Sequence, residues 1–205
     1  MKVLMINGSP HENGSTYRAL SEIGKTLDAN GIDFEIINVG KHDVVGCKAC
    51  GACSKLGKCI TDDIVNEVIE KLKQADGLVV GSPVYYSSMN GTLKSFLDRV
   101  FFGKSCFANK PAAAVAVARR AGTTETVDAI NKYFMINNMP VVSSQYWNMA
   151  FGSNASQVEK DEEGMQTMRI LGKNMAWLLK CIRCGEENGI MPPESEIHVK
   201  TNFYK

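Results

Sequence analysis

The chain has 205 residues, 44% of them apolar, and a formal net charge of +1 with its three histidines neutral. That length can bury one sizeable core, and the balanced charge leaves no basic footprint for nucleic acid or an anionic membrane surface. No apolar run reaches the roughly eighteen residues that span a bilayer, and Met1-Lys2 enters a strand with no signal-peptide pattern, so a soluble, cytoplasmic protein is expected. Seven cysteines, an odd number and mostly clustered, argue against a secreted disulfide framework. In a reducing compartment they point to metal or redox chemistry.

Strand-like and helical runs alternate along the chain. Lys2–Asn7 is a short apolar run suited to a parallel strand covered on both faces. An amphipathic helix follows from about Ser15 to Asn30, closed by Gly31, and Phe34–Val39 is the second strand. A loop rich in cysteine and glycine covers Gly40–Ile60. Thr61-Asp62-Asp63 then caps a helix whose Ile64, Val68, Ile69 and Leu72 share one face. Gly77–Gly81 is the third strand, Thr92–Phe102 a helix, Ala112–Ala118 the fourth strand. A helix runs on to about Asn138, Val141–Ser144 is the fifth strand, and a long last helix spans about Glu162 to Cys184.

This alternation predicts an α/β fold, an open five-stranded parallel sheet with helices on both faces; in the flavodoxin-like order, 2-1-3-4-5, that sheet reverses next to strand one. One domain over residues 1–185, carrying the cysteine loop 46–60, would be followed by an extended arm over 186–205. The arm, with Pro192-Pro193, is placed to cross onto a neighbouring copy. Ligands in such a sheet sit beyond the carboxyl ends of the strands. Three loops with suitable chemistry leave those ends: Gly8–Thr16, Ser82–Asn90 and Ala118–Thr124.

The first loop, GSPHENGST, has glycines, a proline, an asparagine and hydroxyls but no lysine or arginine. An anion there would be held by backbone N–H groups, hydroxyls and the positive end of the following helix. It matches neither the G-x-x-x-x-G-K-[ST] nor the G-x-G-x-x-G pattern, so a compact monophosphate such as that of FMN fits best. The alternative is a plain Gly/Pro/Asn turn.

Cys47, Cys50, Cys53 and Cys59 are spaced C-x2-C-x2-C-x5-C. Zinc sites usually come as two separated pairs, so the compact triplet favours a [4Fe–4S] cluster. Zinc, or four thiols without metal, stay open. The run differs from the bacterial ferredoxin pattern in its last spacing and lacks a proline after the fourth cysteine. The loop, leaving strand two, is expected on the same edge as the phosphate loop. Cys181 and Cys184 share a helix face and read as structural, with a redox pair as the alternative. Cys106 stands alone, and His11, His42 and His198 form no set.

Together GSPHENGST, GSPVYYSSMNGTLKSFLDR and CKACGACSKLGKC resemble the NADPH-dependent FMN reductase branch of the flavodoxin superfamily, and within it the iron–sulfur flavoproteins. The resemblance implies FMN bound non-covalently in a homodimer or a tetramer. It puts Ser9, Pro10, Asn13, Ser15 and Thr16 on the phosphate. Ser82, Pro83, Val84, Tyr85, Tyr86 and Ser87 would run along the isoalloxazine ring, with Ala118, Arg119, Gly122 and Thr123 on its other side. Arg119-Arg120 departs from the glycine-rich loop of the family; an arginine there would raise the flavin potential, while a solvated pair is the alternative. Trp147 would cover a ring or cap the core. NAD(P)H would supply electrons to a flavin, quinone or protein acceptor. The rival reading is an electron carrier charged by ferredoxin, without NAD(P)H turnover.

Overall fold

Val3–Ile6 has no polar position, and this run becomes β1 (Lys2–Asn7), an interior strand buried on both faces. β2 (Asp33–Asn38) and β3 (Gly77–Tyr85) flank it in parallel, with Val3 opposite both Phe34 and Gly77. β4 is a two-residue strand, Ser88–Met89, folded back antiparallel on the end of β3. β5 (Ala112–Ala118) and β6 (Met149–Phe151) complete the order β2-β1-β3-β5-β6. This is the expected flavodoxin-like order. The computed structural model describes residues 1–102, 107–194, 196, 199, 201 and 203, so Cys106 and seven residues of the expected arm, His198 among them, fall outside it.

Strand alternation divides the core in two. Leu4, Ile6, Leu78, Val80 and Ala114 face α3 (Ile64–Gln74), α4 (Gly91–Phe102) and α5 (Thr123–Ile136). Val3, Met5, Val79, Ala113 and Val115 face α1 (Ser15–Asp28) and α7 (Glu162–Glu187). The shorter helices are α2 (Cys53–Leu56) and α6 (Ala155–Glu159). Among the described residues, no helix is long and apolar enough to cross a membrane.

Side-chain caps fix the starts of α3 and α7. Asp63 accepts from the Val65 amide at 3.1 Å to open α3, and Asp161 accepts from Gly164 at 2.9 Å to open α7. The second Asp161 oxygen takes the Phe151 amide of β6 at 2.7 Å. Glu35 on β2 pairs with Lys2 at 2.5 Å and Lys71 at 2.6 Å. Hydrogen bonds from Lys2 and then Lys71 hold the Glu35 carboxyl below its ordinary range.

The fifth strand differs from expectation. Val141 makes a single bridge to Ala112, but Ser143 and Ser144 are drawn away from the sheet. Asn174 donates to the Ser143 carbonyl at 2.8 Å, and the Ser144 hydroxyl donates to the Thr167 carbonyl at 2.7 Å. The edge position goes instead to Met149–Phe151, opposite Ala116–Ala118. The third strand also runs past Gly81 to Tyr85, carrying its end further over the ligand edge.

Candidate functional site

Three buried asparagines at strand ends hold the first loop. Asn7 accepts from the Ser9 amide at 3.0 Å, Asn38 donates to the Ser9 carbonyl at 3.0 Å, and Asn90 donates to the Gly8 carbonyl. The Gly8 amide also bonds the Gly81 carbonyl at 2.8 Å, tying the loop to β3. A Cβ on Gly40 would lie 2.2 Å from the Gly8 oxygen and 2.3 Å from the Ser9 carbonyl carbon, so only glycine lets the chain leaving β2 pass this close.

The loop delivers its last residues to the start of α1. Gly14 stands at the N-cap and no side chain caps the helix, which leaves its first amides facing outward. Thr16 is 1% exposed and its Oγ1 has no hydrogen-bond partner. A buried hydroxyl without a partner is costly unless a ligand satisfies it. The Ser9 hydroxyl meanwhile takes the His11 amide at 3.1 Å.

These groups open into a cavity of about 740 Å³, within the range of small-molecule and cofactor sites. Of the residues expected at a flavin site, Ser9, Asn13, Ser15, Thr16, Pro83, Val84, Tyr85, Ala118 and Arg119 line it. Pro10, Ser82, Tyr86, Ser87, Gly122 and Thr123 do not. Ser82 is fully buried, its hydroxyl donating to the Pro83 carbonyl at 2.8 Å and receiving the Asn90 amide at 3.3 Å. Thr123 is buried against Met149.

Tyr86 and Ser87 form the two-residue turn between β3 and β4. Both are left-handed, at φ 49° and 58°, as a type I′ hairpin requires. Tyr86 is fully solvent-exposed beyond the cavity mouth. Gly122, at φ 84°, lets the other loop approach: a Cβ there would lie 2.8 Å from the Ser87 Cα. These residues shape the mouth without lining the cavity.

The remaining wall, Gly152–Ser156, escapes a sequence reading because the segment joins β6 to a helix of one turn. Its signal is the S-N-A-S run, in which Asn154 caps α6 by accepting from Gln157 at 3.0 Å. Trp147 lies outside this cavity, half-exposed and edge-on to Tyr146 at 4.9 Å.

A second cavity, of about 60 Å³, collects Cys47, Cys50, Cys53 and Cys59 with Arg99 and Phe102. It shares no residue with the first. The loop turns through left-handed Ala49 (φ 51°), Gly51 (φ 70°) and Gly57 (φ 67°), which brings the four cysteines round one space. In this conformation no three His, Cys, Asp or Glu side chains among the described residues converge on one metal-sized point. As expected, the loop leaves β2 at the edge where the Gly8–Thr16 loop leaves β1, but its cysteines lie some way from that loop. The cysteines lie against the far half of α4, and Arg99 is eight residues beyond Gly91, roughly 12 Å along the helix.

Arg99, its side chain 2% exposed, anchors the loop at both ends. Its guanidinium grips Asp63 through two bonds of 2.5 and 2.9 Å and donates to the Thr61 carbonyl at 3.1 Å and the Val45 carbonyl at 3.4 Å. Its Nε donates to Cys59 Sγ at 3.3 Å. Asn66 clamps the same turn, receiving the Cys59 amide at 2.9 Å and donating to the Cys59 carbonyl at 3.0 Å. Burial alone would push the Cys59 thiol up, but hydrogen bonds from Thr61 and Arg99 bring it below the ordinary thiol value. Cys181 and Cys184 are exposed on α7 and belong to neither cavity.

Residues 1–154 match the family model described as NADPH-dependent FMN reductase. An iron-sulfur flavoprotein of Methanocaldococcus jannaschii is 34% identical over 192 residues, covering 89% of this chain and 100% of that protein. One of Methanosarcina thermophila is 32% identical over 189 residues, covering 89% and 97%. Among solved structures, RosB with a bound 8-demethyl-8-formylriboflavin-5'-phosphate intermediate has a TM-score of 0.70 at 14% identity, covering 100% of this chain and 92% of that one. A flavodoxin from the Archaea gives 0.62 at 18%, covering 88% and 99%. The structural likenesses speak for the fold, and the sequence matches for the kinship. The chain belongs to the NADPH-dependent FMN reductase family, among its iron-sulfur flavoproteins.

Proposed function

We propose that this chain is an FMN-dependent oxidoreductase that draws electrons from NAD(P)H and exchanges them one at a time through a [4Fe–4S] centre held by Cys47, Cys50, Cys53 and Cys59. The observation that carries the flavin half is the partnerless, buried Thr16 hydroxyl beside the uncapped start of α1, inside a cofactor-sized cavity. When bound, FMN supplies both hydride and single-electron chemistry at its ring.

The chain's own work is positioning. Thr16 and Ser15, with the first amides of α1, hold the phosphate dianion, and Ser9 and Asn13 close round it. Pro10 shapes the loop's outer turn. Pro83, Val84 and Tyr85 flank the ring on one side, with Ala118 and Arg119 on the other, and Arg119 adds positive charge at the rim. Ser82, Tyr86, Ser87, Gly122 and Thr123 set the loops around the ring rather than line its cavity. Tyr86, beyond the mouth, offers a face against which a nicotinamide or quinone stacks.

Four soft thiols on one cavity, two already receiving N–H donors, support the cluster half: Ala49 donates to Cys47 Sγ at 3.5 Å and Arg99 to Cys59 Sγ. Exposed Met135, Ile136, Tyr146, Trp147 and Trp177 suit a homodimer or tetramer. The separation of the two cavities favours a second reading, an electron carrier charged by ferredoxin.

Anaerobic purification, a visible spectrum, and iron and sulfide counts per chain test the cofactors. A polypeptide that stays colourless in excess FMN overturns the flavin reading. NADPH and NADH oxidation with ferricyanide or a quinone then tests the donor. Negligible turnover beside rapid reduction by ferredoxin leaves the carrier.

A further inference from the structure

We infer that Arg99 is a positioning residue for the cysteine centre: it fixes the fourth thiolate and biases the centre toward its reduced state. The inference rests on the cluster reading above.

A buried arginine on the core side of a helix needs a reason. Arg99 has Phe96 and Val100 as buried neighbours on α4, where an apolar residue would extend the core. Instead a full set of donors is spent on the cysteine loop. Four bonds go to Asp63, Thr61 and Val45, residues that bracket the four cysteines in sequence. The Nε–H goes to the sulfur itself. A lysine could pair with Asp63 but could not hold both loop ends and the sulfur at once, because it lacks the planar fork.

The Asp63 pairing does not cancel the effect. The N–H···S bond acts on the sulfur directly, and Asp63 also spends one oxygen on the Val65 amide, at the positive end of α3. Adding one electron, from dithionite in a titration, puts one more negative charge on an already anionic thiolate centre. Hydrogen bonds to the sulfurs and a nearby cation stabilise that added charge, the means by which proteins raise cluster potentials. Asn66 supplies the comparison: it holds the Cys59 backbone just as firmly but does not touch the sulfur.

The experiment compares Arg99→Gln, Arg99→Lys and Asn66→Ser with the wild-type holoprotein after anaerobic reconstitution with iron and sulfide. FMN content serves as the check of folding. The cluster midpoint is read by dithionite titration with electron paramagnetic resonance. In Arg99→Gln the reduction equilibrium falls at least tenfold, a one-electron shift of 59 mV to lower potential. Arg99→Lys falls less, and Asn66→Ser keeps the wild-type midpoint. Iron loss from both Arg99 variants but not from Asn66→Ser also supports the role. A wild-type midpoint in Arg99→Gln, iron loss from all three alike, or FMN loss from both Arg99 variants overturns it. Wild-type protein that takes up no iron and sulfide defeats the cluster reading itself, before any variant is compared.

Discussion

Replacing Thr16 with valine separates the demands of the empty fold from those of the ligand, because they have opposite signs. Valine keeps the methyl that packs on β3, where a Cβ on Gly81 would lie 2.9 Å from Thr16 Cγ2. What it removes is a hydroxyl that is 1% exposed and unpaired. An unsatisfied buried hydroxyl costs about 1–3 kcal/mol, so the ligand-free Thr16→Val protein is expected to be more stable by about 1 kcal/mol or more. For a chain of this size that raises Tm by about 2–4 °C per kcal/mol. FMN affinity moves the other way. A hydrogen bond to a charged phosphate contributes about 1.5–3 kcal/mol, so Kd rises about 10- to 150-fold. Riboflavin, which lacks the phosphate, binds both proteins alike. Thermal unfolding of apoprotein and titration of flavin fluorescence measure both arms. An apo variant less stable than wild type, or equal losses for FMN and riboflavin, would refute the reasoning.

Gly40→Ala is expected to raise the Kd for FMN by about fivefold or more without touching the ligand. Its Cβ would sit 2.2 Å from the Gly8 oxygen, forcing the loop to shift by about 1 Å and stretch the Asn38–Ser9 bond, a loss of about 1–3 kcal/mol. Affinity within threefold of wild type, measured by the same titration, would count against the close-approach argument. Glu35→Gln tests the β2 ion network through pH. The depressed Glu35 carboxyl contributes stability above its ordinary value of 4.5, lost as pH falls through the folded value. Hydrogen bonds donated to Glu35 and Glu67 raise Lys71 above 10.5, so its share is present below that value and lost as pH rises through the folded one. Urea midpoints should therefore separate wild type from variant at neutral pH, by less than about 1 kcal/mol for so exposed a network, and converge in acid.

The sheet order was legible because β1, β3 and β5 are apolar runs that only a doubly covered sheet can accommodate. Val141-Val142 misled for the same reason. A β-branched pair reads as strand, whereas Met149-Ala150-Phe151 carries little strand signal, and the α7 groups that claim Ser143 and Ser144, the Asn174 side chain and the Thr167 carbonyl, come from distant sequence. The Gly8–Thr16 loop was readable as a strand-to-helix connection from its glycines and hydroxyls. The three asparagines that hold it were not, since each lies at the end of a different strand. Arg99 was hidden most deeply. A charged residue between Leu97 and Val100 is counted to the solvent face of a helix, and only the folded position of the Thr61–Asp63 turn gives it partners.

Asp161 and Glu35 have a joint consequence for how copies of this protein meet. At one border of the sheet a carboxylate occupies the outward N–H of Phe151; at the other a lysine–glutamate–lysine cluster charges the rim. Both borders are thus blunted against the addition of a foreign strand. Strand addition meets an occupied donor at one flank and charge at the other, which leaves side-chain surfaces as the freer ground for assembly.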